Sequence, residues 1–240
     1  MVRRPDALCV ANGRQSKYIG VYRHSEQSAL EATVKLVGTT VSPFVRRVAV
    51  SLNVLGLPYE AAAISASKQP EEVRKFNPLT RVPALMLDDG ETLIESSAIL
   101  DAIDQIVGPE RALLPISGQA RRHAMKTTAI GLGCADKSVW AYYELTRRPE
   151  EKVHQPWLEH NEQQVVAGYA YLEEQLREHG VDALFRSQGR LNQAGITCAV
   201  AFRFTAHVRP KLAIRSAAPT LAAFSEECEA LEAFRAAAIP

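Results

Sequence analysis

Residues 38–47 read Gly38-Thr39-Thr40-Val41-Ser42-Pro43-Phe44-Val45-Arg46-Arg47. A short apolar run, Val34-Lys35-Leu36-Val37, precedes them. An amphipathic run from Phe44 to Leu55 follows and is closed by Gly56. That order predicts a strand, a tight loop and a helix. Ser42 fits the N-cap, where a side-chain oxygen accepts from one of the free N–H groups of the first turn. Pro43 fits the first helical position, where its missing N–H costs nothing. A group above Ser42 would face free backbone N–H groups and the positive end of a helix dipole. Such a place stabilises an anion, a thiolate included. Taken alone, the stretch is equally well served by Ser42 as a plain cap.

Working outward, the helix shows apolar residues at Phe44, Val45, Val48, Leu52 and Leu55, which form one buried face. Arg46, Arg47, Ser51 and Asn53 fall largely on the opposite face. Gly56 fits a left-handed C′ position and Pro58 prevents continuation. Tyr59–Ile64 reads as a second strand, parallel to the first because a helix intervenes. Pro70–Phe76 is a short helix stopped by Asn77-Pro78. Ala84–Leu87 and Glu91–Ile94 flank the turn Asp88-Asp89-Gly90 and read as an antiparallel hairpin. Ser96–Val107 reads as a helix covering the sheet.

Gly108–Gly118 carries Pro109 and Pro115 and reads as a linker. Beyond it the pattern is helical, in Gln119–Arg147, Glu150–His179, Asn192–Val208, Pro219–Ala230 and Glu232–Ala238. The expected fold class is therefore an α/β domain over residues 34–110 followed by an all-α domain over 118–240. Residues 1–33 are polar and show no period, with five basic residues against three acidic ones. They are expected to form a poorly ordered, dispensable extension. A presequence and a misassigned start remain open for this segment.

The 240 residues are 47% apolar and carry 28 Lys+Arg against 27 Asp+Glu, a net charge of +1. No basic excess or stripe points to a nucleic-acid partner. No apolar run has the roughly 18 residues of a membrane span. Cys9, Cys134, Cys198 and Cys228 form no C-x-x-C pair, and the six histidines form no H-E-x-x-H pattern. No metal site is expected. Reduced thiols are expected, and with them a cytoplasmic location.

Two further stretches join the first. They are Asn77-Pro78-Leu79-Thr80-Arg81-Val82-Pro83-Ala84-Leu85 and Leu93-Ile94-Glu95-Ser96-Ser97-Ala98-Ile99. In order and spacing the three stretches resemble the glutathione transferase family, with its thioredoxin-like N-terminal domain and all-helical C-terminal domain. The resemblance covers about residues 34–235. It implies glutathione as co-substrate, a cis Val82–Pro83 bond that exposes the Val82 backbone to the tripeptide, and Glu95 and Ser96 at the γ-glutamyl end. Ser42 would donate a hydrogen bond that favours the substrate's thiolate. Thr39 and Thr40 stand close enough to compete for that role. With serine at position 42 and Val45 three residues on, no disulfide can form there, which argues against disulfide reduction. Arg81 or Lys68 would meet the glycyl carboxylate.

The resemblance also implies a homodimer and a hydrophobic electrophile pocket, for which Trp140, Tyr142 and Tyr143 are candidates. The implied reaction is attack of glutathione thiolate on a small electrophile, as in detoxification. The alternatives are a non-catalytic binding or regulatory protein of the same fold, or a glutathione-dependent isomerase or dehalogenase. One departure stands out. The family's late helix usually begins with a Ser/Thr-x-x-Asp capping box, and here the residues are Asn192-Gln193-Ala194-Gly195. On this reading Gly195→Asp restores the box and stabilises the protein.

Overall fold

Seven elements follow one another in the first half of a computed structural model that describes residues 34–240. They are β1 (Val34–Val37), α1 (Pro43–Leu55), β2 (Tyr59–Ala62), α2 (Pro70–Arg74), β3 (Ala84–Met86), β4 (Thr92–Ile94) and α3 (Ser96–Val107). The expectations for residues 1–33 lie outside the described residues. The strands form one sheet in the order β2-β1-β3-β4. β1 runs parallel to β2, and β3 runs antiparallel to β1 and β4. This is the thioredoxin-like order expected from the sequence.

α1 begins and ends for the local reasons read above. Ser42 is its N-cap and Pro43 its first residue, and Gly56 turns left-handed at φ 64°. The Gly56 and Leu57 N–H groups then close on the carbonyls of Asn53 and Leu52.

The second half is almost entirely helical. α4 (Gly118–Thr146) and α5 (Gln155–His179) are long and pack along each other. α6 (Val181–Phe185), the small hairpin β5 (Arg186–Ser187) and β6 (Arg190–Leu191), and α7 (Gln193–Val208) come next. α8 (Ile214–Ala217), α9 (Pro219–Glu229) and α10 (Glu232–Arg235) complete the chain. α7 is buried without a break from Gln193 to Phe202. A helix covered on all sides is a core element, and α7 touches α4, α9 and α1. No helix among the described residues is long and apolar enough to cross a membrane.

The polar side of α1 departs from expectation. Arg46, Arg47 and Ser51 are 1%, 2% and 0% exposed. The cause is tertiary, because α7 and α10 cover that side. Arg46 places Nη1 and Nη2 each 2.7 Å from a Glu229 carboxylate oxygen, and its Nε donates to Ala237 O at 2.8 Å. The Ser51 hydroxyl faces Gln193 Oε1 at 3.2 Å, and Asn53 Nδ2 donates to Ala233 O at 2.9 Å. α1 is thus apolar toward the sheet and hydrogen-bonded toward the helices.

Gly195 also departs from expectation. Asn192 does cap α7, its Oδ1 accepting from Gly195 N at 2.9 Å. A Cβ at Gly195, however, would stand 2.6 Å from Phe185 O and 2.9 Å from Phe185 Cβ. The end of α6 fills the space that an aspartate would need. The glycine permits close approach, and the expected gain from restoring a capping box is overturned.

Candidate functional site

The sheet register decides where the three sequence stretches meet. Val37 lies opposite Ala84, and Ala84 lies opposite Ile94. The residues one step beyond these are Gly38, Pro83 and Glu95. The loop leading to Ser42, the Val82–Pro83 bond and the Glu95-Ser96 turn therefore emerge at one end of the sheet. Two helix N-termini, those of α1 and α3, open at the same end. Both direct free N–H groups and positive dipole ends into that region.

Contacts draw the pieces together. A Cβ on Gly38, whose φ is 129°, would stand 2.5 Å from Val45 Cγ2 and 2.9 Å from Val82 Cβ. The loop thus lies directly on Val82 and on the first turn of α1. The Val82–Pro83 bond is cis. Pro83 is buried, Val82 is half-buried and Arg81 is exposed. The Asn77 side chain spans this loop, accepting from Leu79 N at 2.9 Å and donating to Arg81 O at 2.8 Å.

Ser42 is half-buried, and its Oγ accepts from Val45 N at 3.4 Å. That bond uses an oxygen lone pair and leaves the hydroxyl proton free to donate. Capping and donation to a sulfur are therefore compatible in one side chain. Thr40 differs, because its hydroxyl donates to Ala238 O at 2.7 Å.

At the third stretch, the cap of α3 is Glu95. Glu95 Oε2 accepts from Ser97 N at 3.0 Å. Glu95 is exposed and holds φ 68°, a backbone region that costs a non-glycine residue of order 1–3 kcal/mol. Ser96 is buried as the first residue of the helix. Its hydroxyl donates to Glu95 Oε1 at 3.3 Å and accepts from Arg47 Nη1 at 3.1 Å. A guanidinium only donates, so Arg47 sets the direction of this chain and leaves the serine proton pointing toward the exposed carboxylate.

Arg47 is the residue that sequence reasoning missed. Burial lowers its pKa to about 10, partly offset by Glu95, so it remains a cation at neutral pH. Its Nε finds no hydrogen-bond partner among the described residues. The available signal was the pair Val50 and Val54, which share the supposedly solvent side of α1. Val50 is fully buried and Val54 half-buried.

The remaining candidates are placed as follows. Lys68 is exposed on the loop before α2. Trp140 and Tyr143 are exposed on α4, and Tyr142 is half-buried. Cys134 and Cys228 are buried, and burial pushes each thiol up to about 12, so neither is a nucleophile near neutral pH. Among the described residues no group of three or more His, Cys, Asp or Glu is arranged to hold a metal ion.

Comparison with known proteins agrees with this geometry. The family model for the glutathione S-transferase N-terminal domain matches residues 36–111. A solved glutathione transferase family member from Pseudomonas fluorescens, with bound glutathione, is 30% identical over 87% of this chain and all of that chain, at a TM-score of 0.73. The chain belongs to the glutathione transferase family. Maleylacetoacetate isomerase of Pseudomonas aeruginosa is 32% identical over 144 residues, 56% of this chain and 65% of that protein. Glutathione S-transferase U2 of Arabidopsis thaliana is 36% identical over 75 residues, 31% of this chain and 33% of that protein. The chain thus spans less than two thirds of these curated transferase-family relatives, whereas it spans the solved bacterial transferase completely.

Proposed function

We propose that this protein binds glutathione and transfers it, as the thiolate, to small hydrophobic electrophiles. The observation that carries the reading is the convergence of Ser42, cis Val82–Pro83 and Glu95-Ser96 at one end of the sheet. An extended cysteinyl backbone would pair with Val82, and the γ-glutamyl end would meet Ser96 and the Glu95 carboxylate. Arg81 would face the glycyl carboxylate. The thiol would lie above the N-terminus of α1, where Ser42 donates its free proton to the sulfur and favours the anion. The base-like work is thus done by stabilising the charged nucleophile, and the thiolate itself attacks the electrophile.

On the same reading residues 34–110 form the glutathione domain and 118–240 the substrate domain. The protein would act as a cytoplasmic homodimer in detoxification. A second reading has a specific observation behind it, the similarity to a maleylacetoacetate isomerase. There the same thiolate would add to a double bond and leave again, so that glutathione is returned unchanged. A substrate panel scored for glutathione consumption separates conjugation from isomerisation.

Ser42→Ala tests the thiolate claim. The variant should raise the pKa of bound glutathione and cut turnover of an aryl halide by about tenfold or more, since a hydrogen bond to a charged group is worth about 1.5–3 kcal/mol. Affinity for glutathione should change much less, because the peptide is held elsewhere. Titration of thiolate absorbance in the two proteins gives the comparison, and an identical pKa would remove Ser42 from the mechanism.

A further inference from the structure

The loop that presents Ser42 is gripped on either side by the far end of the chain. Thr40 Oγ1 donates to Ala238 O at 2.7 Å. Arg46 Nε donates to Ala237 O at 2.8 Å. These are consecutive carbonyls, and their two donors bracket Ser42 in sequence. The carbonyls are themselves anchored, since Ala237 N and Ala238 N close back on Phe234 O and Arg235 O. The base of the loop is fixed by Gly38 against Val45 and Val82. Ser42 is held from the helix side by Arg46 N to Ser42 O at 2.9 Å and by Val45 N to its Oγ at 3.4 Å, and the crest on the other side by Ser42 N to Thr39 O at 3.0 Å and by the Thr40 side chain.

A threonine hydroxyl has a single proton. At Thr40 that proton is committed to Ala238 O, so only lone pairs remain for any sulfur nearby, and lone pairs do not stabilise a thiolate. We infer that Thr40 is a positioning residue of the thiol site: its bond to Ala238 O orients the Ser42 hydroxyl, and Thr40 acts on the sulfur only through Ser42. The segment after α10 thereby becomes part of the site without touching the substrate. This rests on the glutathione reading given above.

The test uses Thr40→Val, which keeps the shape and removes the donor, Thr40→Ser, which keeps the donor, and both backgrounds of Ser42. In Thr40→Val the pKa of bound glutathione should rise by about half a unit or more, and kcat should fall about fivefold. The KM for glutathione should stay within about twofold, because a positioning effect at the sulfur leaves the peptide contacts in place. Thr40→Ser should behave as wild type. In the Ser42→Ala background, Thr40→Val should add no further pKa shift.

An unchanged pKa and kcat in Thr40→Val would overturn the inference, as would a Thr40→Ser variant as impaired as the valine. Additive pKa shifts in the double variant would also overturn it, since Thr40 would then act on the sulfur directly. A wild-type protein that fails to bind glutathione would overturn the glutathione reading and this inference together. That outcome is distinguishable, because it is seen before any variant is made.

Discussion

Replacing Gly195 with aspartate should destabilise the protein by about 4 kcal/mol or more, where local helix rules alone forecast a gain. Two costs combine. The new Cβ would stand 2.6 Å from a backbone carbonyl oxygen, that of Phe185. Backbone cannot swing aside as a flexible side chain does, and overpacking of this kind costs about 1–3 kcal/mol. The carboxylate would then enter a buried position of α7, where the Asn192 N–H, the donor that a capping box would use, already serves Phe185 O at 2.9 Å. The nearby amide of Asn192 already donates to Leu184 O at 3.0 Å. An uncompensated buried charge adds several kcal/mol. Gly195→Ala isolates the steric part and should lose about 1–3 kcal/mol, although alanine is the better helix former by about 1 kcal/mol. Urea titration of both variants gives the values, and equal stability of either with wild type would mean that α6 yields freely.

Arg46→Met should cost about 1–3 kcal/mol, the penalty of leaving a buried acceptor unserved. The guanidinium is 1% exposed and serves Glu229 with both terminal nitrogens, Ala237 O with Nε and Phe234 O at 3.4 Å. It also lies over the Phe234 ring, 5.8 Å from the centroid. Methionine fills much of the volume but leaves Ala237 O without a donor, whereas Phe234 O keeps the Ala237 N–H at 3.2 Å. Glu229 keeps a 26% exposed side chain and can turn to water, so its share of the loss is the smaller one. Arg46→Lys should recover only part, because one ammonium cannot form the planar fork and reach Ala237 O as well. Glu229→Gln should cost less than either. If Arg46→Met melted with wild type, the grip of α1 on α10 would contribute nothing to stability.

What was legible in the sequence was what local chemistry decides. Ser42, Pro43 and Gly56 announce the ends of α1, and Val37, Ala84 and Ile94 belong to runs that could only be strands. The order of those runs placed Ser42, Val82 and Glu95 in one motif. Arg46 and Arg47 were misread because their environment is supplied by residues distant in sequence, which no helical period can display. Glu95 caps α3 from a backbone held at positive φ, and nothing in a Glu-Ser-Ser string requires that. The hairpin at Arg186–Leu191 has two residues per strand, too few for alternation to register. Gly195 looked like a defect because Phe185, its reason, lies on another element.

The hydrogen-bonded side of α1 bears on engineering by recombination. On the proposed function, substrate range would be altered most directly by grafting a different helical half onto the same first half. Here the joint is more than the linker and the apolar core that the two halves share. It is a set of addressed connections, Arg46 to Glu229, Arg46 to Ala237, Asn53 to Ala233 and Ser51 to Gln193. A hybrid that crosses over in the linker inherits the donors from one parent and the acceptors from the other. Chimeras should therefore be productive only when the incoming half presents a carboxylate at position 229 and carbonyls at the height of Ala237. Expressed by itself, the first half would present two uncovered guanidinium groups to water, unlike a free-standing thioredoxin-like module.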